Sequence, residues 1–183
     1  LVSSDDPHVV LMSKAGNIKD FDYFPDVASF EQAIKLSANN SIGQLPDQVQ
    51  AMYALDNERL LIGGDSTLHV LIGDPASVAL GAFGKSMLSL ISDQSGVAFG
   101  QQSVCKDPTG VTYFFGSRGG VYALTGNGVQ SLSMNRVERR LQDVDLATYK
   151  PCLAWDWRRD GLVVAMSHRA AGGTLIDRYF WEK

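Results

Sequence analysis

The sequence is poor in the residues that carry chemistry. It holds two cysteines and three histidines in 183 positions. Cys105 and Cys152 are far apart, with no Cys-x-x-Cys pair and no Cys/His cluster, which excludes a disulfide scaffold and a zinc site. Both are expected to be free, buried thiols. His8, His69 and His168 stand well apart in the sequence, too far for two to share a helix turn or a metal-ligand motif. Each is expected to be a structural or exposed residue. The stretch Asp5-Asp6-Pro7-His8 is expected to be a solvated turn ahead of a strand rather than a metal site. No Ser-His-Asp ordering, Gly-x-Ser-x-Gly elbow or Cys-His pairing is present, so no catalytic residues, metal or cofactor are expected, and the chain is not read as an enzyme. Positive charge is also scarce. Sixteen Lys and Arg stand against twenty Asp and Glu, a net charge of −4. A surface that wraps a phosphate backbone needs the opposite balance, because its affinity comes from cationic side chains displacing counterions. No apolar run approaches the ~20 residues of a membrane span.

What the sequence does hold is 45% hydrophobic residues, enough for one well-buried core, and residues 1–183 are read as a single domain. The chain opens on Leu1 rather than Met, which predicts a piece of a longer polypeptide. Four segments resemble one another: "DDPHVVLMSKAGNIKDFDYF" from Asp5, "LDNERLLIGGDSTLHVLIGD" from Leu55, "KDPTGVTYFFGSRGGVYALTG" from Lys106 and "RRDGLVVAMSHRAAGGTLIDRYFW" from Arg158. Each pairs two short apolar runs across a break of small residues. The breaks fall at Ser13, Gly64, Ser117 and Ser167, spaced by 51, 53 and 50 residues. That period is near the ~40–50 residues of β-propeller blades. The runs are rich in β-branched and aromatic residues and bounded by Gly, Asp, Asn and Pro, the signature of strands. Gly63-Gly64-Asp65 and Gly119-Gly120 are expected to supply positive φ for tight hairpins.

A further run precedes the later hairpins ("VQAMYAL", "QQSVC", "KPCLAWDW"), and another follows two of them ("MLSLIS", "VQSLS"). The fold class predicted is therefore all-β, a β-propeller or partial propeller of about four antiparallel four-stranded blades and roughly fourteen strands. The first unit lacks its opening strand and the last its closing one. A four-bladed ring and part of a larger ring both fit. Two insertions interrupt the rhythm. Residues 26–40 fit either a helical stripe or the first unit's outer strand. Val137, Leu141 and Val144 fall on one face of a predicted amphipathic helix near residues 134–147, capped by Ser133.

Gly84-Lys85-Ser86 ends like a phosphate-binding P-loop. That loop needs a Gly five residues before its Gly-Lys pair and a helix after it, so that backbone N–H groups converge on the phosphate. Ala79 holds the Gly position and "MLSLIS" alternates like a strand, which excludes nucleotide binding here. Trp155 and Trp157 alternate with Asp156 on an expected strand that would turn both indoles to one side. The pair is expected to fill space between blades. The alternative is a contact set of Trp155, Trp157 and Arg158, with Arg118 nearby, on a carbohydrate- or receptor-binding propeller module.

The stretches "VLMSKAGNIKDFDYF", "VQAMYALDNERLLIGGDSTLHVLIGDP", "DPTGVTYFFGSRGGVYAL" and "SLSMNRVERRL" resemble the tail and neck proteins of short-tailed phages and prophages, of the tail-nozzle or packaged-DNA stabilisation type. The resemblance covers roughly residues 8–183. It implies an oligomeric virion structural protein, made in the bacterial host cytoplasm and located in the phage tail. Such a protein assembles below the portal to conduct or retain packaged DNA and attach the tail. The partners implied are copies of itself and neighbouring tail or portal proteins, with at most non-specific contact with DNA. A propeller-fold glycosidase is a third reading. It needs paired carboxylates ~5–10 Å apart, brought together from different blades.

Overall fold

Short runs of Val, Leu, Ile, Tyr and Phe become strands here wherever Asp, Gly or Ser clusters bound them. The computed structural model describes residues 6–14, 16–23, 33–36, 45–73, 87–134, 141–142, 144–168 and 175–182. Among these are β1 (Val10–Met12), β2 (Ile34–Leu36), β3 (Val49–Ala54), β4 (Arg59–Gly64), β5 (Leu68–Ile72), β6 (Met87–Ser92), β7 (Val104–Lys106), β8 (Thr112–Phe115), β9 (Val121–Thr125), β10 (Gly128–Ser131), β11 (Tyr149–Asp156), β12 (Gly161–His168) and β13 (Leu175–Glu182). The protein is all-β. The described strands form four antiparallel sheets in chain order: β1-β2, β3-β4-β5-β6, β7-β8-β9-β10 and β11-β12-β13. Every described strand pairs with a sequence neighbour, through short turns in most hairpins and across a longer connection between β1 and β2. Pro151 lies in β11, an edge strand, where a missing N–H leaves no ladder bond unmade.

The sheets pack face to face in the same order. Val10 and Met12 of the first sheet meet Val49, Leu60, Ile62 and Leu71 of the second. The opposite face of the second sheet, with Leu61, Leu68 and Val70, meets Val104, Phe114 and Tyr122 of the third. The third sheet then turns Tyr113, Phe115, Val121 and Ala123 to Leu153, Leu162, Val164 and Met166 of the fourth. Successive side chains on a strand point to opposite faces, so Phe114 and Phe115 serve different interfaces, and both are fully buried. Burial on two faces explains why "TYFF" and "LLIG" are continuous apolar runs rather than alternating ones. Each such aromatic ring contributes about 1.5–3 kcal/mol by leaving water.

Segment 95–100 stitches the second and third sheets together. The Val97 N–H donates to the Gly64 carbonyl and the Gly100 N–H to that of Gln50, while the Ala98 N–H donates to the Phe115 carbonyl. Val97 is completely buried as a result.

Several sequence expectations need correction. The run "FDYF" at residues 21–24 is not the partner of β1 over its described part; β1 pairs with Ile34–Leu36 instead, inside the insertion expected to be helix or outer strand. The chain beyond β1 turns back on itself locally, with Lys14 bridging Asn17. Gly63 and Gly64 do not turn the chain. They end β4, and a Cβ at Gly63 would lie 2.4 Å from Val97 Cγ2, one at Gly64 2.0 Å from Asp47 Oδ1. Close approach, not positive φ, requires them. Gly119 and Gly120 do take the expected positive φ, 87° and 86°. The helix expected near 134–147 falls largely on residues 135–140, outside the described set; Leu141 and Gln142 have helical backbone. Residues 146–148 form a turn instead, because the Asp145 carboxylate accepts the Ala147 N–H and its carbonyl accepts those of Thr148 and Tyr149. The Ser133 hydroxyl accepts the Val121 N–H, tying that segment to β9.

Candidate functional site

The turn that joins β11 to β12 holds the aromatic-basic stretch, and the structure separates its two indoles. β11 ends at Asp156, so Trp157 begins the turn instead of continuing the strand. Trp155 points into the interface between the third and fourth sheets, where its ring stacks on Tyr113 at 5.5 Å with 15° between planes. Trp157 is 73% exposed. Its face carries the Arg158 guanidinium, 5.3 Å from the ring centroid. The turn is held by the Arg158 N–H donating to Asp156 Oδ1 at 3.0 Å, and Asp160 adopts φ 48° to close it. The space-filling expectation therefore holds for Trp155 alone. The contact set of Trp155, Trp157 and Arg158 is not assembled, and what projects is Trp157 with Arg158, two residue types that dominate interface energetics.

The same turn in the other sheets is built on the same residue, a signal present in the sequence and missed. Asp6, Asp56, Asp107 and Asp156 lie 50, 51 and 49 residues apart; the last three stand before the second strand of their sheet, and Asp6 stands before β1. The carboxylates of Asp6 and Asp56 accept the N–H two residues on, from His8 and Glu58. Asp107 accepts the Thr109 hydroxyl at 2.7 Å, the Val111 N–H at 2.9 Å and the Tyr113 hydroxyl at 3.2 Å. An Asp side chain that mimics the backbone acceptor of a turn explains the recurrence. It also assigns these carboxylates to structure, whereas a glycosidase would need two of them facing one cleft.

Asp47 is a second clamp that sequence reading did not find. Its carboxylate accepts the N–H and hydroxyl of both Ser66 and Thr67, fixing the β4–β5 turn against the segment ahead of β3. Burial works to raise its pKa, but the four hydrogen bonds together prevail and lower it. His69, beside this clamp, is buried on β5; desolvation lowers its pKa against the opposing pull of Asp47. His8 Nδ1 lies 3.2 Å from the Leu45 carbonyl and the His168 ring meets Tyr149 edge-on at 5.4 Å, so the three histidines are dispersed over the fold. Among the described residues no three His, Cys, Asp or Glu side chains are placed to hold a metal ion.

Cys105 and Cys152 are free and half-buried rather than fully buried. Burial, aided by the Asp107 charge, pushes the Cys105 thiol up to about 12, which leaves it protonated and unreactive near neutrality. Tyr113 is likewise pushed up to about 12 by burial and by Asp107. Gly84-Lys85-Ser86 lie outside the described residues, while Met87–Ser92 directly after them is strand β6. The helix that a P-loop requires is therefore replaced by a strand. No helix among the described residues is long and apolar enough to cross a membrane. No protein-family model matches the chain, and no curated protein matches it.

Proposed function

We propose that this chain is a structural component of a phage or prophage virion: a β-propeller-like module of the tail or neck, assembling below the portal to conduct or retain packaged DNA and attach the tail. The observation that carries the reading is the succession of antiparallel sheets packed face to face in chain order, with a turn-forming Asp recurring ahead of β1, β4, β8 and β12. Blades around an axis have this arrangement. Added to it is the resemblance of residues 8–183 to tail-nozzle and packaged-DNA stabilisation proteins.

The fourth sheet supports a further layer. Leu153, Trp155, Leu162, Val164 and Met166 face the third sheet, so Cys152, Ala154, Val163 and Ala165 lie on the face turned away from it. These four are half-buried or exposed, and small and apolar, as a face that receives another blade or a second copy would be. Trp157 with Arg158 is the contact we assign to a neighbouring tail or portal subunit. The net charge of −4 suits a conduit through which a polyanion must slide without being held.

The test is genomic and structural. Portal and terminase genes beside this one, and density for a propeller below the portal in imaged particles of the source phage, are the expected results. Metabolic neighbours, or particles with no such density, would overturn the proposal.

A further inference from the structure

A cleft of about 490 Å³ lies between the outer strands of the second and third sheets, bounded by the end of β6 on one side and by the β9–β10 hairpin on the other. Its size falls within the range of small-molecule sites, about 300–1,000 Å³. Its lining is distinctive in charge. Ser92, Asp93, Gln94, Asn127 and Ser131 supply hydroxyls, two carboxamides and one carboxylate, and among the described residues no Lys or Arg lines it. Such a wall rejects phosphates and other anions, since nothing offsets their charge and Asp93 repels them.

The serine hydroxyls are tied to the backbone, that of Ser131 accepting the Met134 N–H, while the longer polar side chains of the lining remain available. The Gln94 N–H donates to the Ser92 hydroxyl, and the buried Ser95 hydroxyl donates to the Gly96 carbonyl. Across the cleft the Thr125 hydroxyl donates to the Gly128 carbonyl and accepts the Asn127 N–H. Among the described residues the Asp93, Gln94 and Asn127 side chains make no hydrogen bond within the protein. Tyr122 adds a ring fixed by stacking on Phe114 at 5.4 Å with 15° between planes, and Ile91 and Val129 add apolar surface.

We infer that this cleft binds a neutral saccharide. Carboxamides and a carboxylate each engage two adjacent hydroxyls, donating or accepting as needed. The apolar face of a pyranose suits the surface offered by Tyr122, Ile91 and Val129. Preorganisation of both walls reduces the ordering that binding requires. The site is separate from Trp157 and does not depend on the virion assignment.

The experiment is a titration of the isotope-labelled chain with glucose, galactose, N-acetylglucosamine and rhamnose, followed by amide NMR, with sialic acid and inorganic phosphate as anionic probes. The expected result is a neutral sugar that shifts amides at residues 92–95 and 127–131 with a Kd on the order of 1 mM. Asp93→Ala and Asn127→Ala replace exposed side chains and leave the fold intact, which their spectra verify; each raises Kd about tenfold, the loss of a good hydrogen bond. Trp157→Ala leaves it unchanged. The inference is overturned if no neutral sugar moves those amides, if the anions bind there instead, if the shifts gather around Trp157, or if the Asp93→Ala, Asn127→Ala double variant keeps its affinity.

Discussion

At the scale of single residues, stability rests on a few polar clamps and close approaches. The folded Asp47 carboxylate titrates below its ordinary value of 3.8, so its contribution is complete above that pH and is lost as pH falls through the lower folded value. His69 also titrates below its ordinary 6.5. The unfolded chain then takes up that proton first, and stability erodes as pH falls below 6.5. Denaturant titrations from pH 7 to pH 3 should show both losses. His69→Gln should flatten the upper one and Asp47→Asn the lower. At pH 7 Asp47→Asn should destabilise by about 1–3 kcal/mol, because an amide cannot accept from all four donors. An unchanged midpoint at pH 7 would refute the clamp.

The glycines make a complementary prediction. A Cβ at Gly96 would lie 2.0 Å from the Gly64 carbonyl oxygen, whereas one at Gly63 meets only the Val97 side chain. Thermal melts should rank Gly96→Ala as the more damaging, since a backbone carbonyl yields less readily than a side chain. Gly63→Ala should cost about 1–3 kcal/mol through overpacking.

At the scale of elements, β11 and the turn after it assign opposite roles to two tryptophans two residues apart. Trp155→Ala removes a ring stacked on Tyr113 inside the interface of the third and fourth sheets, and should destabilise by about 3 kcal/mol. Trp157→Ala removes an exposed ring in contact with Arg158 and should change stability by less than about 0.5 kcal/mol. Equal losses in equilibrium unfolding would mean that the turn is wrongly placed. The strand signature was legible in these segments because β-branched and aromatic runs bounded by turn formers are local features. The end of β11 was not. Whether alternation continues through "WDWRRDG" depends on where the Asp156 side chain captures the Arg158 N–H, and composition alone cannot locate that.

At the scale of the whole molecule, among the described residues the second and third sheets pack against a neighbouring sheet on both faces, and the first packs against the second alone. Hydrogen exchange should therefore find β4, β5, β8 and β9 the most protected, and β1 with β2 among the earliest to open. Slowest exchange in the β1–β2 pair would contradict the stacking order. The candidate site was less legible than the fold. The β6–β10 cleft is assembled from two sheets, and nothing in "ISDQS" or "GNGVQS" taken separately marks either as a wall of a cavity.

The amino-acid sequence by itself determined the all-β class, the repeat near fifty residues and most strand positions. Each of these follows from local preference: turn formers at intervals, and apolar runs the length of a strand. The tertiary structure alone decided that β1 pairs with Ile34–Leu36, that Gly63 and Gly64 admit Val97 and Asp47, and that Trp155 is enclosed while Trp157 is not. Those outcomes depend on which surfaces meet across sheets, where the neighbour that excludes water or fills a gap comes from some other part of the chain.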